Sequence, residues 1–381
     1  MKLTSILSVM TGLAFLLTSC GGGGGNGVPG QNGQQSRGGD RMELEGAGAS
    51  FPAPLITGMA DEYRDITNGR ITLNYQSIGS GGGIRQFIEQ TVMFGMSEAF
   101  LDDDIMNEIE EKTGGKAFNI PITLADVVAT YNLPEADENL VFDGQLLVDI
   151  FMGKVTRWDD PAIKKLNPDV DLPDRGITVV HRSDGSGTTN VWTSYLSRVS
   201  DEWREKIGYA TSVSWPTGIG ANGNEGVAGA VQNTRGSIGY NSLSYAMLND
   251  IPYAHIINKS GNKIEPSFEA TTKAADIDLP EDTRVLFTNT PADDGYPAAG
   301  FAWMLVYQNL DENNAIRNKK QAEELVKFII WSITEGQNLS ESLGYAKLSD
   351  AAVERGLDMI AQLKWDGDEI GKKILEEEAV L

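Results

Sequence analysis

The sequence predicts an α/β protein with a largely parallel core sheet, divided into two domains. Three observations carry this. Short β-branched or alternating runs, such as Ile71–Tyr75 and Ile177–Val180, each lead through a glycine-rich turn into a stretch with apolar residues at helical spacing. That alternation is the pattern of strand–helix–strand units. From about Glu43 onward roughly 335 residues remain, more than one hydrophobic core usually serves. The single cysteine, Cys20, provides neither a disulfide framework nor a thiolate cluster for a metal.

The first elements are not part of that fold. Lys2 gives a positive start, and Ile6 to Leu17 is apolar but too short for a membrane span. Leu17-Thr18-Ser19-Cys20 resembles the lipobox of bacterial lipoproteins. The expectation is a signal peptide over 1–19 and lipidation of Cys20, with the acyl chains holding the protein to the exported face of a membrane. Residues 20–45, with a five-glycine run followed by Gly, Asn, Gln, Pro and Ser, have almost nothing to bury and read as a flexible tether.

Gly46 to Pro54 then leads small residues into a helix marked by Leu55, Met59 and Tyr63. Ser50 sits just before that helix, either as a plain cap or as a donor backed by free N–H groups. The strand Ile71–Tyr75 runs into Gln76–Gly83, a turn carrying Ser80, and then a helical face of Ile84, Phe87, Ile88 and Val92. This turn lacks the lysine of a P-loop and the full dinucleotide glycine spacing, so it does not indicate a nucleotide. Glu98 follows the small strand-like Phe94–Ser97 and precedes Asp102-Asp103-Asp104; on its own it reads as a solvated surface carboxylate. Val127–Tyr131 and Leu146–Met152 are apolar runs. Further on come a glycine-rich loop over Gly218–Gly226, a short strand over Gly236–Tyr240, and polar Lys259–Pro291 with little periodicity. A buried strand over Phe301–Tyr307, amphipathic helices over Gln321–Ile333 and Ala351–Leu363, and a charged, peripheral tail beyond Trp365 complete the chain.

The richest stretch is Arg182-Ser183-Asp184-Gly185-Ser186-Gly187-Thr188, between the strand Ile177–Val180 and a helix bearing Val191, Trp192, Tyr195 and Leu196. The first N–H groups of a helix have no internal partner, and the helix dipole favours negative charge there. Ser186 and Thr188 add hydroxyl donors, and Arg182 adds a permanently charged planar fork. Together these make an anion seat. The bland alternative is a well-capped helix start with Arg182 paired to Asp184. The net charge of −23 argues against a nucleic-acid partner and repels small anions at long range. Salt screens that repulsion over about 8–10 Å, so anion affinity must come from local dipoles and Arg182.

Four stretches together resemble the phosphate-binding proteins (PstS) of bacterial phosphate ABC importers: Gly46–Pro54, Ile78–Gly83, Phe94–Glu98 and Arg182–Thr188. Gly153-Lys154 through Trp158-Asp159-Asp160, Leu166-Asn167-Pro168, Trp215-Pro216 and Ile238-Gly239-Tyr240 match as well, and the likeness spans about Glu45 to Trp365. The resemblance implies a two-lobed periplasmic-binding-protein (type II) fold that closes on its ligand in the interlobe cleft. Lobe one would comprise 46–124 plus 303–381, and lobe two 125–302. It implies phosphate bound by Ser50, Phe51, Ser80, Arg182, Ser186, Gly187 and Thr188, with Asp184 holding the Arg182 fork. Glu98 stands where the family usually has Asp; that carboxylate accepts the phosphate proton and so disfavours sulfate. Met93 is a second departure, from an acidic residue found in some members.

The resemblance further implies a monomer that hands phosphate to the permease subunits of an importer, anchored through Cys20, with no cofactor or metal. Two other classes stay open at this point. One is a binding protein for another oxyanion, such as arsenate or sulfate. The other is a phosphate-ester hydrolase using Ser186, for which a nucleophile needs an oriented base. Only His181 and His255 are available as histidine bases. His181 alternates away from Arg182 in its strand, and no motif nominates His255 or a lysine.

Overall fold

The computed structural model describes residues 41–136 and 139–378. The leader over 1–19, Cys20 and the tether as far as residue 40 lie outside the described residues. The tether expected over 20–45 ends sooner than that, because Met42–Gly48 is already a strand (β1) with Leu44 and Ala47 fully buried. The remaining strands are β2 (Ile71–Ser77), β3 (Phe94–Ser97), β4 (Ala117–Tyr131), β5 (Val141–Asp143), β6 (Thr178–Arg182), β7 (Ile219–Ala221), β8 (Ser237–Ser242), β9 (His255–Ile257), β10 (Lys263–Ile264) and β11 (Ala299–Tyr307).

Eight strands form one sheet in the order β2-β1-β3-β11-β4-β8-β6-β7, and β10-β9-β5 form a second. The arms of the large sheet are parallel: β1 with β2 and β3, and β6 with β8 and β7. Its middle is antiparallel, through β3–β11, β11–β4 and β4–β8. The expected parallel sheet therefore holds in the arms and fails in the centre. The reason is topological. β4 runs on through both halves, pairing with β11 over Ala117–Asp126 and with β8 from Val127, and β11 returns late in the chain to lie beside it.

Two large apolar cores flank this handover. One gathers Leu44, Phe94, Ile120, Trp303 and Phe328; the other gathers Val128, Phe151, Trp192, Tyr240 and Ile256. All nine residues of β11 are buried, as a strand covered on both faces requires.

Three segments depart from the sequence reading. Gly218–Gly226 is not a loop but β7 and the first turn of the helix Gly223–Asn233. Within polar Lys259–Pro291, Ala274 and Phe287 join the first core, and the Thr283 hydroxyl donates to Asn119 O at 2.6 Å. The charged tail contains the helix Ile370–Glu378, whose Ile370 and Ile374, four residues apart, are buried.

The helices that matter for function start just beyond strand ends. Ala53–Ile66 follows β1, Ser80–Ile88 follows β2, Gly187–Val199 follows β6 and Gly223–Asn233 follows β7. In α/β sheets this carboxyl edge is where ligands bind, because the helix N-termini present free N–H groups there.

Candidate functional site

Two of these helix starts meet at Glu98, and Asn224 ties the other two to them through Ser50 and Thr188. The residue is 1% exposed, thrown inward where β3 ends in a tight turn that Ser97 closes by bonding both N–H and C=O of Ala99. Its two oxygens are each met by a hydroxyl from a different strand–helix turn: Ser80 Oγ donates to Oε2 at 2.9 Å and Thr188 Oγ1 to Oε1 at 2.8 Å. Burial pushes the Glu98 pKa up, while the hydrogen bonds from Thr188 and Ser80 and the charge of Arg182 pull against that rise. Read alone, Glu98 resembled a surface carboxylate; it is instead the centre of the polar cluster.

The loop 46–54 is held from three sides. Tyr75 OH donates to Ala49 O at 2.7 Å, Tyr245 OH to Ser50 O at 3.0 Å and Tyr345 OH to Phe51 O at 2.6 Å. Three consecutive carbonyls are thereby tied to tyrosines far apart in sequence. Burial pushes all three phenol pKa values up, so they stay protonated and able to donate. Ser50 is not the side-chain cap of its helix, which has none; its Oγ accepts from Asn224 N at 3.1 Å and from Asn224 Nδ2 at 2.9 Å.

In the stretch after β6, Arg182 forms a fork on Asp184: Nε donates to Oδ1 at 2.7 Å and Nη2 to Oδ2. Burial opposes the Arg182 charge, but the bonds and charge of Asp184 outweigh it and hold the guanidinium pKa above its ordinary value. Burial likewise opposes the Asp184 charge, and Arg182 more than compensates, so the Asp184 pKa falls. Asp184 Oδ1 also accepts Gly223 N at 3.1 Å, joining this stretch to the fourth helix start. Ser186 is the true cap of its helix, accepting Thr189 N at 3.1 Å. Gly187 N donates to Ser80 Oγ at 3.0 Å, and Gly81 N to Gly185 O at 2.9 Å. Any side chain at Gly187 would bring its Cβ to 2.5 Å from Glu98 Oε2 and 2.6 Å from Ser80 Oγ, so only glycine lets the two turns meet.

The structure thus brings Ser50, Phe51, Ser80, Glu98, Arg182, Ser186, Gly187 and Thr188 into one buried cluster, with half-buried Asp184 at its edge. Sequence reasoning missed Asn224 and the three tyrosines. Asn224 stood in plain view at a helix start in Gly223-Asn224, but the surrounding glycines read as a loop. The tyrosines carry no local signal. Met93 is buried in the first core, away from any polar role. His181 stacks on Trp215 at 5.0 Å with Nδ1 against Arg182 O at 2.9 Å, and His255 lies in β9.

A two-lobed α/β chain, with hydroxyls and helix N-termini converging on one buried site where its turns meet, is a substrate-binding protein of the periplasmic kind. The model of the PBP superfamily domain matches residues 31–335. The phosphate-binding protein PstS of Pasteurella multocida is 38% identical over 82% of this chain and 88% of that relative. PstS of Methanocaldococcus jannaschii is 33% identical over 94% of this chain and 96% of its own length. The chain belongs to the PstS family of phosphate-binding proteins, within the PBP superfamily. Among solved structures, a putative phosphate ABC transporter substrate-binding protein with bound phosphate from Clostridium perfringens aligns with a TM-score of 0.58 at 18% identity, covering 81% of this chain and all of that one. An ancestral soluble variant of the human phosphate-binding protein aligns at 0.67 with 17% identity, covering 87% and 98%. These share the two-lobed fold.

Proposed function

We propose that the protein binds inorganic phosphate as the substrate-binding component of a phosphate ABC transporter, closing its cleft around the desolvated ion and turning nothing over. The observation that supports this best is the occupancy of Glu98. Ser80 and Thr188 already clasp a buried carboxylate between turns from the two ends of the sheet, with the Arg182–Asp184 pair alongside. A carboxylate and a phosphate ask the same donors for the same bonds. The ligand would take up Ser50, Phe51 N–H, Ser80, Arg182, Ser186, Gly187 N–H and Thr188, and Glu98 would turn from a carboxylate served by these hydroxyls into the acceptor of the phosphate proton. An aprotic sulfate brings no proton to relieve the repulsion between two buried negative groups.

The proposed lobes are 46–124 plus 303–381 and 125–302, hinged where β4 and β11 cross between the cores. Hydrolysis is disfavoured because Ser186 shows no oriented base among the described residues: its Oγ caps a helix, His181 Nδ1 lies against Arg182 O, and His255 stands in β9. Among the described residues no group of His, Cys, Asp and Glu could hold a metal, and no helix is long and apolar enough to cross a membrane. Anchoring through Cys20, docking to permease subunits and a monomeric state complete the reading. Calorimetry of the purified chain with phosphate, arsenate and sulfate tests it: one phosphate per chain and no sulfate heat is expected. Turnover of a phosphate ester that Ser186→Ala abolishes would overturn it.

A further inference from the structure

A hydroxyl has one proton to give and two lone pairs to fill. In this site amides fill lone pairs from behind, both on Ser50 and one each on Ser80 and Thr188. Ser80 Oγ accepts Gly187 N–H at 3.0 Å, and Thr188 Oγ1 accepts Asn224 Nδ2–H at 3.0 Å. Ser50 Oγ accepts twice, from Asn224 N–H at 3.1 Å and from Nδ2–H at 2.9 Å. One side-chain amide therefore spends each of its two protons on a different hydroxyl of the site. Its orientation is fixed: Asn224 Oδ1 accepts the backbone N–H of Ser242 at 3.2 Å, and a backbone N–H can only donate, so the nitrogen must face the hydroxyls. Asn224 is fully buried, and its own carbonyl accepts Asn241 Nδ2 at 3.1 Å.

We propose that Asn224 sets the hydrogen-bond polarity of the site: by filling both lone pairs of Ser50 and one of Thr188 it makes Ser50 an obligatory donor to the ligand and turns the Thr188 proton the same way, and so leaves Glu98 as the acceptor through which the site reads a ligand proton. The assignment rests on the phosphate reading above. Thr188 already shows the behaviour, receiving from Asn224 on one side and donating to Glu98 Oε1 on the other. Ser50, with two amide hydrogens on its oxygen, has only its proton left to offer. Without Asn224 each hydroxyl could rotate to accept the proton of a protonated ligand, and the distinction that Glu98 enforces would blur. Asn224 is a positioning residue in this scheme, acting through Ser50 and Thr188.

The replacement Asn224→Asp keeps the shape and reverses the polarity. Its carboxylate would accept the two hydroxyl protons, turning them away from the ligand, and would add a negative charge. With two charge-assisted bonds lost, phosphate affinity at pH 8 should fall at least about a hundredfold. The deficit relative to wild type should shrink towards pH 5, as the new carboxyl protonates and can donate again. Asn224→Ala should weaken phosphate about tenfold and narrow the preference for phosphate over sulfate. The experiment is calorimetric titration of wild type and both variants with phosphate and with sulfate from pH 5 to pH 8, each variant first checked for a cooperative thermal transition. A purely structural role would weaken both ions alike and leave the variant-to-wild-type ratio flat with pH; that result overturns the proposal. If the Asp variant does not fold, the phosphate-to-sulfate ratio of the Ala variant decides, and an unchanged ratio is fatal. A wild-type protein that takes up no phosphate overturns instead the function on which the assignment rests.

Discussion

Two buried carboxylates sit in different parts of the molecule, and their surroundings separate two fates. Glu98, at the helix starts, is met by two hydroxyls that each give it a proton-bearing bond, with Arg182 adding its charge nearby. Asp126 lies where β4 leaves β11 for β8, opposite Ala299, and is 2% exposed. Among the described residues its one side-chain partner is the Thr271 hydroxyl, which approaches Oδ2 at 3.1 Å but also lies 2.9 Å from Ser267 O. A single proton cannot serve both acceptors fully. If Asp126 is itself protonated, it donates to Thr271, Thr271 donates to Ser267 O, and every group is satisfied. Burial accordingly pushes Asp126 up to about 7, against the smaller pull of Thr271. Burial opposes charge at both sites; the number and direction of the donors decide how well charge survives.

The largest effect that tests this contrast is on stability. Asp126 titrates near 3.8 when exposed and near about 7 in the fold, so the folded state holds a proton that the unfolded state releases between those values. Stability from this residue is complete below about pH 4, falls as pH rises and is gone above about pH 7. At about 1.4 kcal/mol per unit the loss is at most about 4 kcal/mol. Asp126→Asn should therefore stabilise the protein at pH 8 by up to that amount and gain little near pH 4. Urea unfolding across that range is the measurement, and a pH-independent difference would show that the Asp126 proton is not retained in the fold.

Next in size is Arg182→Ala. It strips the cation from a cluster that keeps Asp184 and Glu98, and bonds to charged groups are worth about 1.5–3 kcal/mol each. A loss of at least about tenfold in phosphate affinity is expected by calorimetry, with no change if the guanidinium serves only Asp184. Glu98→Gln sharpens the contrast from the other side. Phosphate binding should persist, because an amide both accepts and donates, while exclusion of sulfate relaxes; titration with phosphate in a large excess of sulfate reads this directly. Smallest is Tyr245→Phe, which removes one bond to Ser50 O worth about 1 kcal/mol. About a fivefold weakening of phosphate, with the protein still folded, is the outcome to look for.

What the sequence determined by itself was local: which runs form strands, where glycine must stand at a strand-to-helix turn, and which turns carry hydroxyls and a cation. Ser80, Arg182, Ser186 and Thr188 announce themselves because the motif that makes a helix start also makes an anion seat, and both lie within a few consecutive residues. The tertiary structure decided what depends on residues far apart in the chain. Glu98 is a surface carboxylate by type, and only the approach of Ser80 and Thr188, 18 and 90 residues away, makes it the buried centre. Asn224 bonds Ser50 across 174 residues, and Tyr345 bonds Phe51 across 294. The antiparallel middle of the sheet arises in the same way, from β11 returning beside β4. Periodicity reports the face a residue turns to its own element's neighbours. It carries no information about which distant donor that face will meet, and for a buried polar group that partner is what sets its charge and its work.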